Sequence, residues 1–141
     1  MKNRNLNHKD NWGTPDDILD PLKKEFGEMF DPCPLNHNVN EWDGLKIGWK
    51  NINFINPPYS LKLKSAFVLR AIEEYKNGKT CILLIPVSTS TILFHDHILK
   101  QDPEIRFIKG RVKFKGIGAN GVYTENKTGM HDSMIVILQP K

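Results

Sequence analysis

Residues 80–86, Thr-Cys-Ile-Leu-Leu-Ile-Pro, limit what this chain can become more than any other segment. Seven residues fall far short of the ~20 that a membrane span needs, and the run has no polar face. Such a strand must be covered on both sides, as a central strand between packed layers is. The flanking pattern supplies the cover. Ile18, Leu19, Leu22 and Phe26 recur at helical spacing over 16–26, with Pro21 as a point of kinking and Gly27 as the stop. Thr14 is placed to cap this helix and Pro15 to occupy its first turn. Ala66, Phe67, Leu69, Ala71, Ile72 and Tyr75 predict a second helix over 65–75, ended by Gly78, and 90–99 reads as a third. Short strands are expected at 28–30, 53–55, 105–108, 112–114 and 133–138. The alternation predicts a three-layer α/β fold with a mostly parallel sheet. The late strands, with no helix between them, predict an antiparallel C-terminal edge. Residues 35–44 and the glycine-bearing 115–132 read as loops, the latter mobile.

The 141 residues suit one domain spanning 1–141. The polar residues 1–11 are expected to be flexible and lack the apolar core of a secretory signal. Nothing suggests export, so Cys33 and Cys81 are expected as free thiols. Lys plus Arg is 20 against 16 for Asp plus Glu, and the net charge of +4 suits an acidic partner such as DNA. No membrane association is expected, and a monomer is assumed.

Two proline-containing motifs follow expected strands. Asp31-Pro32-Cys33 comes after 28–30, and Asn56-Pro57-Pro58-Tyr59 after 53–55. Proline cannot continue a ladder, so both motifs begin where a strand gives out, the edge at which open α/β sheets bind ligands. The second motif suits chemistry on an amino group attached to a base ring. That nitrogen is a poor nucleophile because its lone pair is delocalised into the ring. Hydrogen-bond acceptors for both of its N–H groups favour a more pyramidal, more reactive nitrogen. The Asn56 side-chain oxygen is one acceptor and a stiffened prolyl carbonyl a second. Tyr59 offers a flat face for a base turned out of its stack. The bland alternative is a proline-stiffened turn with an aromatic anchor.

Asn-Pro-Pro-Tyr after a strand resembles the catalytic motif of amino-group methyltransferases. From about residue 12 to 138 the chain resembles the short phage-type DNA adenine methyltransferases, Dam-like in function. The resemblance rests on Trp12-Gly13-Thr14-Pro15, Asp31-Pro32-Cys33, Asp43-Gly44-Leu45, Asn56-Pro57-Pro58-Tyr59-Ser60, Leu84-Ile85-Pro86-Val87, 107–114 and Ser133-Met134-Ile135-Val136, taken in order. It implies a Rossmann-like fold that binds S-adenosylmethionine (SAM), releases S-adenosylhomocysteine and needs no metal. It also implies methyl transfer to the exocyclic amine of a flipped adenine in DNA, in the cytoplasm of a bacterial host carrying the phage or prophage. On this resemblance Asn56, Pro57, Pro58 and Tyr59 are catalytic. Trp12, Thr14, Pro15, Asp31, Pro32, Cys33, Asp43 and Asn56 face the cofactor, Asp31 near its methionine end and Asp43 accepting from its adenine. One departure stands out: no glycine-rich turn follows the first strand, since Asp31-Pro32-Cys33 continues as Pro34-Leu35-Asn36.

Other readings compete. Asp31 and Asp43 have the alternative of capping local loop backbone. Pro32-Cys33 also occurs at the nucleophile of cytosine-ring methyltransferases, but Cys33 is better read as a packing thiol. Cys33, His37, His95 and His97 match no common zinc spacing, and His131-Asp132 lacks a nucleophile. Residues 109–115 alternate basic and apolar types. Lys109, Arg111 and Lys113 read either as a solvated edge-strand face or as phosphate contacts, with Ser60, Lys62 and Lys64 as further DNA candidates. At the level of function, the same motif also serves enzymes acting on RNA or on a protein glutamine. A catalytically inactive nucleic-acid-binding module is the non-enzymatic alternative.

Overall fold

The computed structural model describes residues 13–34, 43–58, 60–117, 122–129 and 131–141. The expectations for residues 1–11, Trp12, 35–42 and Tyr59 lie outside the described residues. Helix α1 spans Asp16–Phe26. Strand β1 spans Ile52–Ile55, helix α2 Leu61–Lys76 and strand β2 Thr80–Pro86. A π-helical turn over Leu93–Ile98 runs into a 3-10 turn over Leu99–Gln101. Strands β3 (Glu104–Phe107), β4 (Lys113–Ile117), β5 (Tyr123–Thr128) and β6 (Ser133–Leu138) follow.

The chain is mixed α/β, and its main sheet has the order β1-β2-β6-β3. The β1–β2 pairing is parallel, while β6 runs antiparallel to both β2 and β3. Two of these three ladders are therefore antiparallel, and β6 lies inside the sheet rather than at its rim. The expectation of a mostly parallel sheet is corrected on this point. The expected strand at 28–30 is reduced to one parallel bridge, Phe30 to Asn53, because Pro32 and Pro34 follow at once. Residues 115–132, read as a loop from their glycines, instead hold the end of β4 and all of β5, which pair antiparallel as a separate two-stranded ladder. Cross-strand pairing outweighs the low apolar content there.

Side-chain alternation along the strands builds a core on each face. Ile55, Cys81, Leu83, Ile85, Met134, Val136 and Leu138 pack against Phe67, Val68, Ala71 and Ile72 of α2 and Phe94 and Ile98 of the π-helical turn. Phe54, Ile82, Leu84, Ile135 and Ile137 point the other way, onto Leu22 of α1 and onto Val112 and Phe114. A helix-and-turn layer thus covers one face, and α1 with the β4 strand covers the other.

The first helix departs from its expected cap. Pro15 is the N-cap, with no side-chain capping bond, and its carbonyl accepts from the Ile18 and Leu19 amides. Thr14 is therefore released for a different contact. Asp16 and Asp17 in the first turn and Lys23 and Lys24 in the last match the helix dipole. Gly27 ends the helix at φ +87°, a conformation open to glycine without strain. Pro21 is tolerated on the exposed side.

Entry into β1 is set by Asn53, which is fully buried. Its side-chain oxygen accepts the Lys50 amide at 2.9 Å, and its nitrogen donates to the Lys50 carbonyl at 2.8 Å and the Thr80 carbonyl at 3.3 Å. An alanine there removes the partners of part-buried peptide groups at Lys50 and Thr80. Asn53→Ala is expected to lower the unfolding free energy by about 2–3 kcal/mol, measured by urea denaturation.

Candidate active site

Parallel alignment decides where the functional residues meet. Phe30 bonds both ways with β1 (Phe30 N to Ile52 O and Phe54 N to Phe30 O, each 2.8 Å), and β1 runs parallel to β2. Asp31 and Asn56 therefore emerge at one edge, beside Pro86. Because β6 is antiparallel to both neighbours, β3 also points its carboxyl end that way. Val87 N donates to Asp132 O at 2.8 Å and Ile108 N to Ser133 O at 3.2 Å, which closes the same edge. Lys109 and Arg111 follow β3 there, and α2, with Ser60, Lys62 and Lys64 at its start, begins there too.

Asn56 is the crossing point of three segments. Its side chain is buried at 6% exposure, and its amide nitrogen donates to the Thr14 hydroxyl at 3.2 Å. Its main-chain carbonyl accepts the Cys33 thiol at 3.2 Å. Pro57 and Pro58 are buried behind it. Thr14 is held in turn because Gly13 bridges Lys115 on β4, with N–O distances of 2.6 and 2.9 Å. Thr14, expected on the cofactor side, thus touches Asn56, the asparagine expected to be catalytic. Cys33 is buried and hydrogen-bonded, as a packing thiol would be.

The acidic residues sit beside each other's backbone. At Gly44 a side chain is impossible without movement: a Cβ there would overlap the Pro32 carbonyl. Glycine at this one position lets the Asp43-Gly44 turn lie against Asp31-Pro32-Cys33. The missing glycine-rich turn after Asp31 is thus matched by a glycine on the opposing segment. Both carboxylates also serve local backbone: Asp31 accepts the Cys33 amide at 2.9 Å, and Asp43 accepts the Leu45 amide at 3.0 Å. Burial pushes the Asp31 carboxyl up to about 6, and the bond from Cys33 offsets this only in part.

The basic candidates divide. Lys62, Lys109, Arg111 and Lys113 are exposed, whereas Lys64 is half-buried beside Leu61, Ile85 and Phe94. Arg111 Nε lies 3.9 Å from Asp132, and Lys115 pairs with Asp16 at 3.1 Å. Val112 and Phe114 are buried between these cations, so the alternation places charge outward and packing inward. His95 contacts the Thr89 carbonyl at 2.6 Å on the surface. Among the described residues no group of three or more His, Cys, Asp or Glu could hold a metal, and no helix is long and apolar enough to cross a membrane.

Sequence reading missed a buried ion cluster on α2, Arg70 and Glu74 with Lys79, that grips the segment after Asp43. Its only signal was Glu74 on the row of Phe67 and Ala71.

The site fits a cationic cofactor on the chemistry of its donors. Two carboxylates on abutting turns, one whose charged form burial disfavours, gain from an ammonium or sulfonium group nearby. The family model described as DNA N-6-adenine-methyltransferase (Dam) matches residues 2–141. No curated protein and no solved structure matches the chain.

The Asp31 titration makes a signed prediction. The unfolded chain ionises near the ordinary 3.8 and the folded chain near 6, so ionisation favours unfolding across that window. Stability is lost as pH rises from about 4 to 6. Asp31→Asn is expected to match the parent near pH 3.5 and exceed it by about 3 kcal/mol at pH 7.5, measured by urea unfolding at both values.

Proposed function

We propose, from the premise that this chain belongs to the DNA N-6-adenine-methyltransferase (Dam) family, that Asn56-Pro57-Pro58-Tyr59 receives an adenine turned out of DNA and prepares its exocyclic amine for methylation. Membership makes DNA adenine methylation the family activity, with DNA as substrate and SAM as methyl donor. The pocket and its residue roles are our reading. The observation that carries it is the burial of Asn56 at the β1 end, with its main chain on Cys33 and its amide on Thr14.

The amine N–H groups donate to the Asn56 side-chain oxygen and to the Pro57 carbonyl. This withdraws the nitrogen lone pair from ring conjugation and aims it. Amide donation to Thr14 suits this role, since it directs the nitrogen of Asn56 away from the substrate and leaves the oxygen as the acceptor. Tyr59, by its residue type, stacks on the ring. The proton released from the methylated amine goes to water. When bound, SAM supplies an electrophilic methyl on a sulfonium that departs as S-adenosylhomocysteine, so no covalent enzyme intermediate is needed. Asp31 and Asp43, with Trp12, Thr14, Pro15, Pro32 and Cys33, form the side that would hold it. Asp31 suits the ammonium end, because a cation beside a buried carboxylate offsets the cost of its ionisation. Catalysis is then mainly positioning.

On the DNA side, Lys109, Arg111 and Lys113, with Ser60, Lys62 and Lys64, contact phosphates beside the pocket. Lys62, Lys109, Arg111 and Lys113 are exposed, as phosphate contacts require. The single-domain organisation and a location in a bacterial cytoplasm complete the reading.

The decisive experiment is methyl transfer from labelled SAM to plasmid DNA, with the modified bases identified. Label is expected on adenine. Asn56→Ala should reduce transfer by a factor on the order of 10² or more while SAM still binds by calorimetry. An Asn56→Ala protein that methylates at the parental rate would show that the pocket lies elsewhere.

A further inference from the structure

Helix α2 carries an ion cluster that the proposed reaction does not use. Glu74 faces the core at 8% exposure, where a charge persists only with partners. It accepts Arg70 Nε at 3.0 Å and Lys79 Nζ at 2.5 Å. Burial pushes its carboxyl up, but the hydrogen bonds from Lys79 and Arg70 outweigh this and hold it below the ordinary carboxylate value. One carboxylate cannot use all the donors of two cations, and three further bonds go to a single segment. Arg70 Nη1 donates to the Leu45 carbonyl at 2.7 Å and Nη2 to the Ile47 carbonyl at 2.8 Å. The guanidinium also lies over the Trp49 ring, 4.9 Å from its centre. Lys79 donates to the Trp49 carbonyl at 3.2 Å, and the Trp49 indole donates to the Gly44 carbonyl at 2.7 Å.

Residues 43–50 contain no helix or strand. Without a ladder, the backbone entropy lost on ordering these residues is not offset by regular main-chain bonds. Side chains of α2 and its end, with Trp49, instead hold the carbonyls of 44, 45, 47 and 49. Charge-assisted bonds are the strong kind, and the rigid planar fork of arginine fixes the directions of its bonds to two carbonyls, which a flexible lysine ammonium does not. The segment so fixed begins with Asp43 and lies at Gly44 against Pro32.

We propose that Arg70 is a positioning residue for the cofactor: by gripping the Leu45 and Ile47 carbonyls it holds Asp43 against the Asp31 turn, and so sets SAM affinity rather than the rate of methyl transfer. This rests on the reading that Asp43 faces SAM. The structural logic is local: the bonds from Cys33 and Thr14 hold Asn56 from segments other than 43–50.

The test is calorimetric titration of SAM and of S-adenosylhomocysteine into the full chain, with steady-state methylation of plasmid DNA alongside. Arg70→Lys is expected to raise both dissociation constants and the KM for SAM by about tenfold, which is about 1.4 kcal/mol. At saturating SAM, kcat and the KM for DNA should stay within about twofold of the parent. Glu74→Gln, which keeps the side-chain volume and one acceptor, serves if Arg70→Lys does not fold, and should raise the same constants by about threefold. A parental SAM dissociation constant in the folded variant, or a fall in kcat and binding stoichiometry with unchanged affinity, overturns the proposal. Asp43→Asn separates the two layers of argument. If it binds SAM as the parent does, the cofactor reading of Asp43 fails and the clamp with it. If it weakens binding and Arg70→Lys does not, only the clamp fails.

Discussion

The parallel alignment of Phe30, β1 and β2 is the constraint on which the site depends. Parallel neighbours deliver their carboxyl ends to one edge. Here that edge receives Asp31 from one segment and Asn56 from the next. The antiparallel insertion of β6 preserves the arrangement, because two reversals return β3 to the direction of β2. The basic residues after β3 therefore arrive on the same side. A sheet with one of these pairings reversed would send a strand end, and its chemistry, to the opposite rim.

Around that edge the irregular backbone is fixed by side chains. Cys33 and Thr14 hold Asn56 from two directions. Arg70, Lys79 and Trp49 hold 44–49. Asn53 does the same for the entry into β1. Each is a buried or half-buried polar group whose cost of leaving water is offset only if its partners stay in place. The segments that would bear ligands thus have defined positions without belonging to the sheet. Gly44 completes the scheme by omission, since any side chain there would separate the two acidic turns.

The regular elements were legible wherever their pattern was strong. The apolar run at Thr80–Pro86 and the final strand at Ser133–Leu138 fall where the sequence places them, because a strand buried on both faces must be apolar throughout. Helix α1 keeps its expected span despite Pro21. Helix α2 extends beyond its expected start at 65, back to Leu61, over a Leu-Lys-Leu-Lys stretch whose alternation does not have helical spacing. The π-helical geometry at Leu93–Ile98 and the β4–β5 ladder were not legible, for the first is a matter of turn width and the second of pairing between distant, glycine-bearing segments.

By itself the sequence determined the chemistry on offer: Asn56 followed by two prolines at a strand end, two carboxylates ahead of it, and cations downstream. Residue type and position along a strand suffice for that, because proline ends a ladder and an amide oxygen accepts hydrogen bonds in any fold. Only the tertiary structure decided that Thr14 turns from a helix cap to Asn56, that Cys33 holds the Asn56 carbonyl, and that Arg70 reaches back 25 residues to Leu45. These contacts join segments far apart in the chain. Their geometry comes from how the two cores pack on the sheet, which no local pattern encodes.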